Sequence, residues 1–448
     1  MDTNKIFFSE DFVWGVAASS YQIEGAFDKD GRGKSIWDTF SHTKGKIFND
    51  DNGDTAINHY SMYKEDIALM KELNIKSYRF SIAWPRVLPE GFGEKNNKGI
   101  DFYKRVVEEL LNAGIKPMAT LNHWDLPQNI QDKGGWTNRE TINYFEEYAN
   151  LMFNELSGLV FGWITHNEPW VEAFLGNLYG EHAPGNKDWN KALRVAHNLL
   201  LSHGKVVRIH RNLNLESTIG ISVNLTPSYP HTDDGLDVIS TKNYDGFINR
   251  WFLDPLFKGE YPQDILNQYN NFFDTSFILQ DDLNIISTPI DFLGINYYTR
   301  AVVKHSNENE LNYRVINLSG VDKTEMGWEI YPEGLHDILL RIKKDYGNIN
   351  IYITENGAAF NDNVDKDEKI SDKNRIDFLR KHLTSLHAAI KKDVQVKGYY
   401  LWSFSDNFEW AHGYSKRFGI VFVDYKNLTR IIKESGYWYK NVISNNGY

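Results

Sequence analysis

The chain has 448 residues, 41% hydrophobic and 24% charged, with no cysteine and a formal net charge of −11. The acid excess argues against a nucleic-acid partner or an anionic membrane, since either calls for a basic face. The absence of cysteine excludes a disulfide framework and thiolate chemistry, and the start "MDTNKIFFSEDFVWG", with no apolar run of about 18 residues anywhere, predicts a cytoplasmic protein without signal peptide or membrane span.

Short apolar runs alternate with helical patterns along the chain. "VWGVAAS" (13–19) and "KSYRFSI" (76–82) read as the first two strands. A helix over 98–113 follows, with Ile100, Tyr103, Val107 and Leu110 at three- and four-residue steps. "KPMATL" (116–121) precedes a helix over 139–156 that starts behind Asn138 as an N-cap. Then come "FGWITHN" (161–167), "TIGISVN" (218–224) and "DFLGINYY" (291–298), the last followed by a long polar segment over 299–327. "NIYITEN" (350–356) leads to a helix over 373–392 with Ile376, Leu379, Leu383, Leu386 and Ile390 on one face and Asp372 as N-cap. "VKGYYLWSF" (396–404) is the eighth strand.

Strand–helix alternation implies an α/β fold with parallel strands and right-handed crossovers. Eight repeats without a linker rich in Pro, Gly or Ser favour a closed (β/α)8 TIM barrel, a single domain over 1–448. The rival is a doubly wound domain joined to a smaller one. It is disfavoured because no G-x-G-x-x-G follows the first strand and no Walker loop occurs. In a barrel the segment 299–327 falls on the active-site face and shapes its entrance.

Two strand ends carry glutamate: Glu168 in "WITHNEPW" and Glu355 in "IYITENG". Proline disfavours the α region for the residue before it, which predicts an extended Glu168. Both carboxyls then sit on the C-terminal face, where barrel enzymes do their chemistry. Two facing carboxyls suit glycoside hydrolysis, with retention at a separation of roughly 5–5.5 Å and inversion at about 6.5–9.5 Å. The 13 Trp, 25 Tyr and 26 Phe fit a large core as readily as a sugar site. No H-E-x-x-H and no His/Asp cluster of metal spacing is present, so neither metal nor cofactor is assigned.

"THNEPW", "ITENG" and the early "FVWGVAASSYQIEGA" together resemble family 1 glycoside hydrolases of the β-glucosidase type, over residues 6–444. The resemblance implies a retaining (β/α)8 enzyme with Glu168 as general acid/base and Glu355 as nucleophile. It implies that Asn167 binds the sugar 2-hydroxyl, that Arg79 in "YRFS" keeps Glu355 ionised, that Tyr298 bonds to Glu355, and that Asn296 lines the same site. Arg79 reads equally as a structural ion pair within the barrel. The pocket for the transferred sugar would comprise Gln22, His123, Trp402, Glu409 and Trp410, with Trp328 as a platform for the leaving group and Phe418 closing the sugar site. The implied partners are small β-glucosides or cello-oligosaccharides.

Relatives that act on 6-phosphorylated glycosides replace the Glu409–Trp410 pair. Here both are present, beside Lys416 and Phe418 in "YSKRFG", which favours unphosphorylated sugars. The alternatives are a 6-phospho-β-glucosidase and a sugar-binding barrel without catalysis. Asn122 and His166 depart from the tyrosine and phenylalanine common in relatives, and predict an altered polarity in the pocket.

Overall fold

The computed structural model describes residues 5–448. At its centre are eight strands: β1 Val13–Ala17, β2 Ser77–Ser81, β3 Lys116–Asn122, β4 Gly162–Asn167, β5 Thr218–Asn224, β6 Phe292–Asn296, β7 Ile351–Asn356 and β8 Val396–Trp402. Each pairs in parallel with its neighbour in chain order, and β1 pairs with both β2 and β8, so the sheet closes into a barrel. All eight apolar runs are strands, and the doubly wound rival is set aside. Strands covered on both faces need apolar residues throughout, which explains runs that are continuous rather than alternating.

Val13, Met118, Ile164, Phe292, Tyr352 and Tyr400 fill the barrel interior. A Cβ on Gly15 would lie 2.4 Å from the Tyr400 ring, so only glycine lets that tyrosine pass over β1 to its 2.8 Å bond with Ser77 on β2. Outside, the helix Asn97–Asn112 buries Ile100, Tyr103, Val107 and Leu110. Each such large side chain is worth roughly 1.5–3 kcal/mol relative to exposure. The helix Lys373–Ile390 buries Ile376, Leu379, Leu383 and Leu386, while Ile390 is half-buried.

The two expected caps act differently. Arg139, not Asn138, flanks the helix Glu140–Glu155, yet Asn138 Oδ1 accepts the Glu140 N–H at 3.0 Å. Asp372 flanks its helix without capping it, because its carboxylate binds Arg375 and accepts from the Ser435 N–H at 2.8 Å. Arg375 and Lys433 also share Asp362, and Lys433 reaches Asp406, so a buried ionic cluster ties the segments after β7 and β8 together.

The polar segment 299–327 is partly ordered into strands. Ala301–His305 pairs with Ser228–Pro230 and with Tyr313–Val315, and forms a small sheet beside the barrel mouth. Two register shifts set the site: one between Ile164 and Asn167 against β5, another between Ile353 and Glu355 against β6. Such irregularities re-aim side chains at strand ends. Among the described residues no helix is long and apolar enough to cross a membrane.

Candidate active site

Glu168 follows β4 directly and has φ +47°, so its backbone is left-handed, not extended. Pro169 does exclude the right-handed α region, but neighbours choose the alternative. The Glu168 N–H donates to the Ser222 carbonyl on β5 at 2.8 Å, and its own carbonyl accepts from Val171 N–H at 2.9 Å. The chain must therefore turn at 168 into the helical segment Val171–Tyr179. The Glu168 carboxyl, nearly buried, accepts from Asn296 Nδ2 at 2.8 Å.

Glu355, on β7, has a different set of partners. Arg79 Nη1 donates to Oε1 at 2.6 Å and the Tyr298 hydroxyl to Oε2 at 2.7 Å. Arg79 is itself buried and also donates to the Thr354 carbonyl at 3.0 Å and Asn167 Oδ1 at 2.6 Å. Arg79 is a buried structural ion pair that braces three strands, with its guanidinium on Glu355. Asn296 Nδ2 also reaches Asn167 Oδ1 at 3.0 Å, so one amide touches both halves of the site.

Burial pushes the Glu168 carboxyl up to about 8, and the neighbouring charge of Glu355 adds to the rise. The expectation of a depressed Glu355 is corrected: burial outweighs Arg79 and Tyr298, and the group is raised above the usual carboxylate range. The order of ionisation survives this correction. Arg79 and Tyr298 contact Glu355 and stabilise its charge, whereas Glu168 touches no cation, so the first proton to leave the pair leaves Glu355.

A cavity of about 390 Å³ opens over these strand ends. His123, Trp402, Glu409 and Trp410 line one end, with the His123 and Trp402 rings 5.9 Å apart and 22° from parallel. Tyr298, Trp328 and Phe418 line the wall, with Trp328 5.2 Å from the Tyr298 ring. His123 is held neutral by burial and by Arg79, and its Nε2 lies 3.0 Å from Asn167 Nδ2. Glu409 is raised to about 8 by burial and by Glu355. Gln22, Arg79 and Asn167 stand behind the wall rather than on it. Gln22 Nε2 donates to the Phe408 carbonyl at 2.7 Å and lies 3.5 Å from Glu409, so it braces the Glu409 segment.

Asn122 and His166 do not face the cavity. They contact each other at 3.1 Å on its outer side, so their departure from the common residues leaves the polarity of the pocket surface unaltered. Sequence reasoning missed Trp124, Trp170, Val171, Leu175, Tyr244 and Ile248, which also line the cavity. Trp124 directly follows His123 and Trp170 closes "THNEPW", so both were findable there. Tyr244 and Ile248 come from the long excursion between β5 and β6 and carry no motif. Among the described residues no group of three or more His, Cys, Asp or Glu is placed to hold a metal ion.

The comparisons with known proteins agree with this geometry. Beta-glucosidase A of Acetivibrio thermocellus is 51% identical over 99% of this chain and 100% of its own. The 1,4-beta-D-glucan glucohydrolase of Thermotoga neapolitana is 48% identical over 98% of this chain and 99% of its own. The solved family 1 β-glucosidase from Thermotoga maritima superposes with a TM-score of 0.97 at 47% identity, covering 100% of both chains. The family model for glycosyl hydrolase family 1 matches residues 4–448, and with the barrel and its paired strand-end carboxyls this chain belongs to that family.

Proposed function

We propose that the chain is a retaining β-glucosidase in which Glu355 is the nucleophile and Glu168 the general acid/base. The unequal surroundings of the two carboxyls carry the reading: Glu355 accepts from a cation and a phenol, Glu168 only from a neutral amide. A nucleophile must be charged and an acid must hold a proton, and this site sorts its two carboxyls that way.

In the first step a Glu355 oxygen bonds to the anomeric carbon as the glycosidic bond breaks, and Glu168 gives its proton to the departing oxygen. In the second, Glu168 takes a proton from water, the water oxygen bonds to the anomeric carbon, and Glu355 leaves as carboxylate. Two inversions release the β-sugar. Asn167, held through Oδ1 by Arg79 and Asn296, sets its Nδ2 against His123 Nε2 and so orients that ring on the cavity wall beside the 2-hydroxyl. Trp402 offers an apolar face to the pyranose ring, and Glu409 and Trp410 offer polar atoms to its far hydroxyls. The substrates are terminal β-D-glucosides, with galactosides and fucosides as close analogues, on cellobiose-type or aryl leaving groups.

An unphosphorylated sugar is favoured by the charges at the far end. Burial raises Glu409 to about 8, and no lysine or arginine lines the cavity to balance the charge of a 6-phosphate. Lys416 Nζ donates one of its three N–H bonds to the Glu325 carbonyl at 2.6 Å, and the residue is not among those that line the cavity. The test compares 4-nitrophenyl β-D-glucoside with its 6-phosphate and the β-D-galactoside, following the product anomer by NMR. Early β-glucose with little use of the phosphate is the expected result. Turnover of the phosphate alone would move the assignment to a 6-phospho-β-glucosidase, and no turnover of any would move it to a binding protein.

A further inference from the structure

Asn122 and His166 lie directly opposite one another on β3 and β4. Asn122 Nδ2 is 3.1 Å from His166 Nδ1 and donates to Glu172 Oε2 at 2.7 Å. Trp136 Nε1 donates to the other oxygen, Glu172 Oε1, at 2.7 Å. His166 Nε2 is 2.8 Å from Ser202 Oγ, whose hydroxyl donates to the Leu199 carbonyl at 2.8 Å. Asn122 has one N–H for Glu172 and one for His166 Nδ1, so His166 carries its proton on Nε2 and gives it to Ser202. All of these side chains are buried, and neither Asn122 nor Trp136, the two donors to Glu172, is a cation.

Burial raises the Glu172 carboxyl to about 8, and a buried acid met only by neutral donors is a costly way to fill space. Its neighbours along the chain suggest its use. Asn122 precedes His123, His166 precedes Asn167 and Glu168, and Glu172 lies in the first turn of the helical segment just after Glu168. The Glu172 N–H donates to the Glu168 carbonyl at 3.3 Å. A left-handed residue such as Glu168 persists only where its surroundings over-determine it.

We propose that Glu172, with Asn122 and His166, is a positioning set for this reaction, seating the Glu168 carboxyl against the departing oxygen. The proposal rests on Glu168 being the proton donor. Proton transfer needs donor and acceptor about 2.6–3.2 Å apart, so a small shift of Glu168 weakens it. Bond formation by Glu355 is held separately, by Arg79 and Tyr298. Loosening this set therefore penalises leaving groups that need a proton and spares those that do not.

The test is kcat/KM for phenyl and 2,4-dinitrophenyl β-D-glucosides in Glu172→Gln, which keeps the shape but turns an N–H toward one of the two donors. The expected result is a loss of about tenfold on the phenyl glucoside and no more than about twofold on the dinitrophenyl glucoside. His166→Phe keeps the ring against Phe145, 4.6 Å away and 25° from parallel, and should show the same pattern at about threefold. It decides the matter if Glu172→Gln does not fold. Equal loss on both substrates, or none on either, overturns the proposal. Glu168→Ala separates the two levels: if it lacks the leaving-group dependence, the acid assignment fails and the positioning set with it. If it shows the dependence and the positioning variants do not, only the positioning set fails.

Discussion

Replacing Glu355 by alanine is expected to lower kcat/KM for 4-nitrophenyl β-D-glucoside by on the order of 10⁴–10⁶-fold, with the fold intact. That corresponds to roughly 5–8 kcal/mol of transition-state stabilisation. The effect is large because no other group can take over. Arg79 and Tyr298 aim two donors at the Glu355 carboxylate, and the alanine variant leaves them facing a gap on the attacking side. Azide added to this variant should enter that gap, displace the aryl oxide and give the α-glucosyl azide, identifiable by NMR. Residual activity within a hundredfold of the parent, once contamination is excluded, would show that another group forms the bond.

Glu168→Ala should behave differently according to the leaving group. On phenyl β-D-glucoside the loss should be about 10²–10⁴-fold, the usual worth of general acid catalysis. On 2,4-dinitrophenyl β-D-glucoside the first step should survive and the glycosyl-enzyme should accumulate, because water is no longer deprotonated. Azide should now yield the β-glucosyl azide. The pH profile gives an independent check. Glu168 acts as acid only while it holds its proton, and its pKa stands at about 8. In the parent enzyme kcat/KM for the phenyl glucoside should fall as pH rises through that value, and in Glu168→Ala this basic limb should be absent. A limb that persists would assign the titration to Glu409, which burial also raises to about 8.

Much of this was legible in sequence for a physical reason. Barrel strands are covered on both sides, so each appears as an unbroken apolar run, and the residues that end such a run must stand at a rim. Glu168 and Glu355 were placed by that logic, while Asn296 and Trp402 came from the resemblance to family 1. What escaped depended on contacts distant in the chain. The rule for residues before proline removes one backbone region but leaves the choice among the others to Ser222 on β5. The direction of His166 could not be read from strand alternation, because the register shift between Ile164 and Asn167 resets it. The raised Glu355 follows from how completely the surroundings exclude water, and composition near the motif does not report that.

The left-handed backbone and raised carboxyl at position 168 also bear on the durability of the molecule. A carboxyl whose pKa is raised by folding is neutral in both states at low pH and costs nothing there. As pH climbs from the unfolded value toward about 8, the unfolded chain ionises freely while the folded one resists, and stability is lost. At pH 7 the penalty is on the order of a few kcal/mol. A left-handed residue adds about 1 kcal/mol that glycine would not incur. Glu168→Gly should therefore melt higher than the parent at pH 7, and by a smaller margin at pH 4.5. Natural selection has kept here a residue that thermal endurance alone would discard, and a heat-hardened but acid-deficient variant is one substitution away.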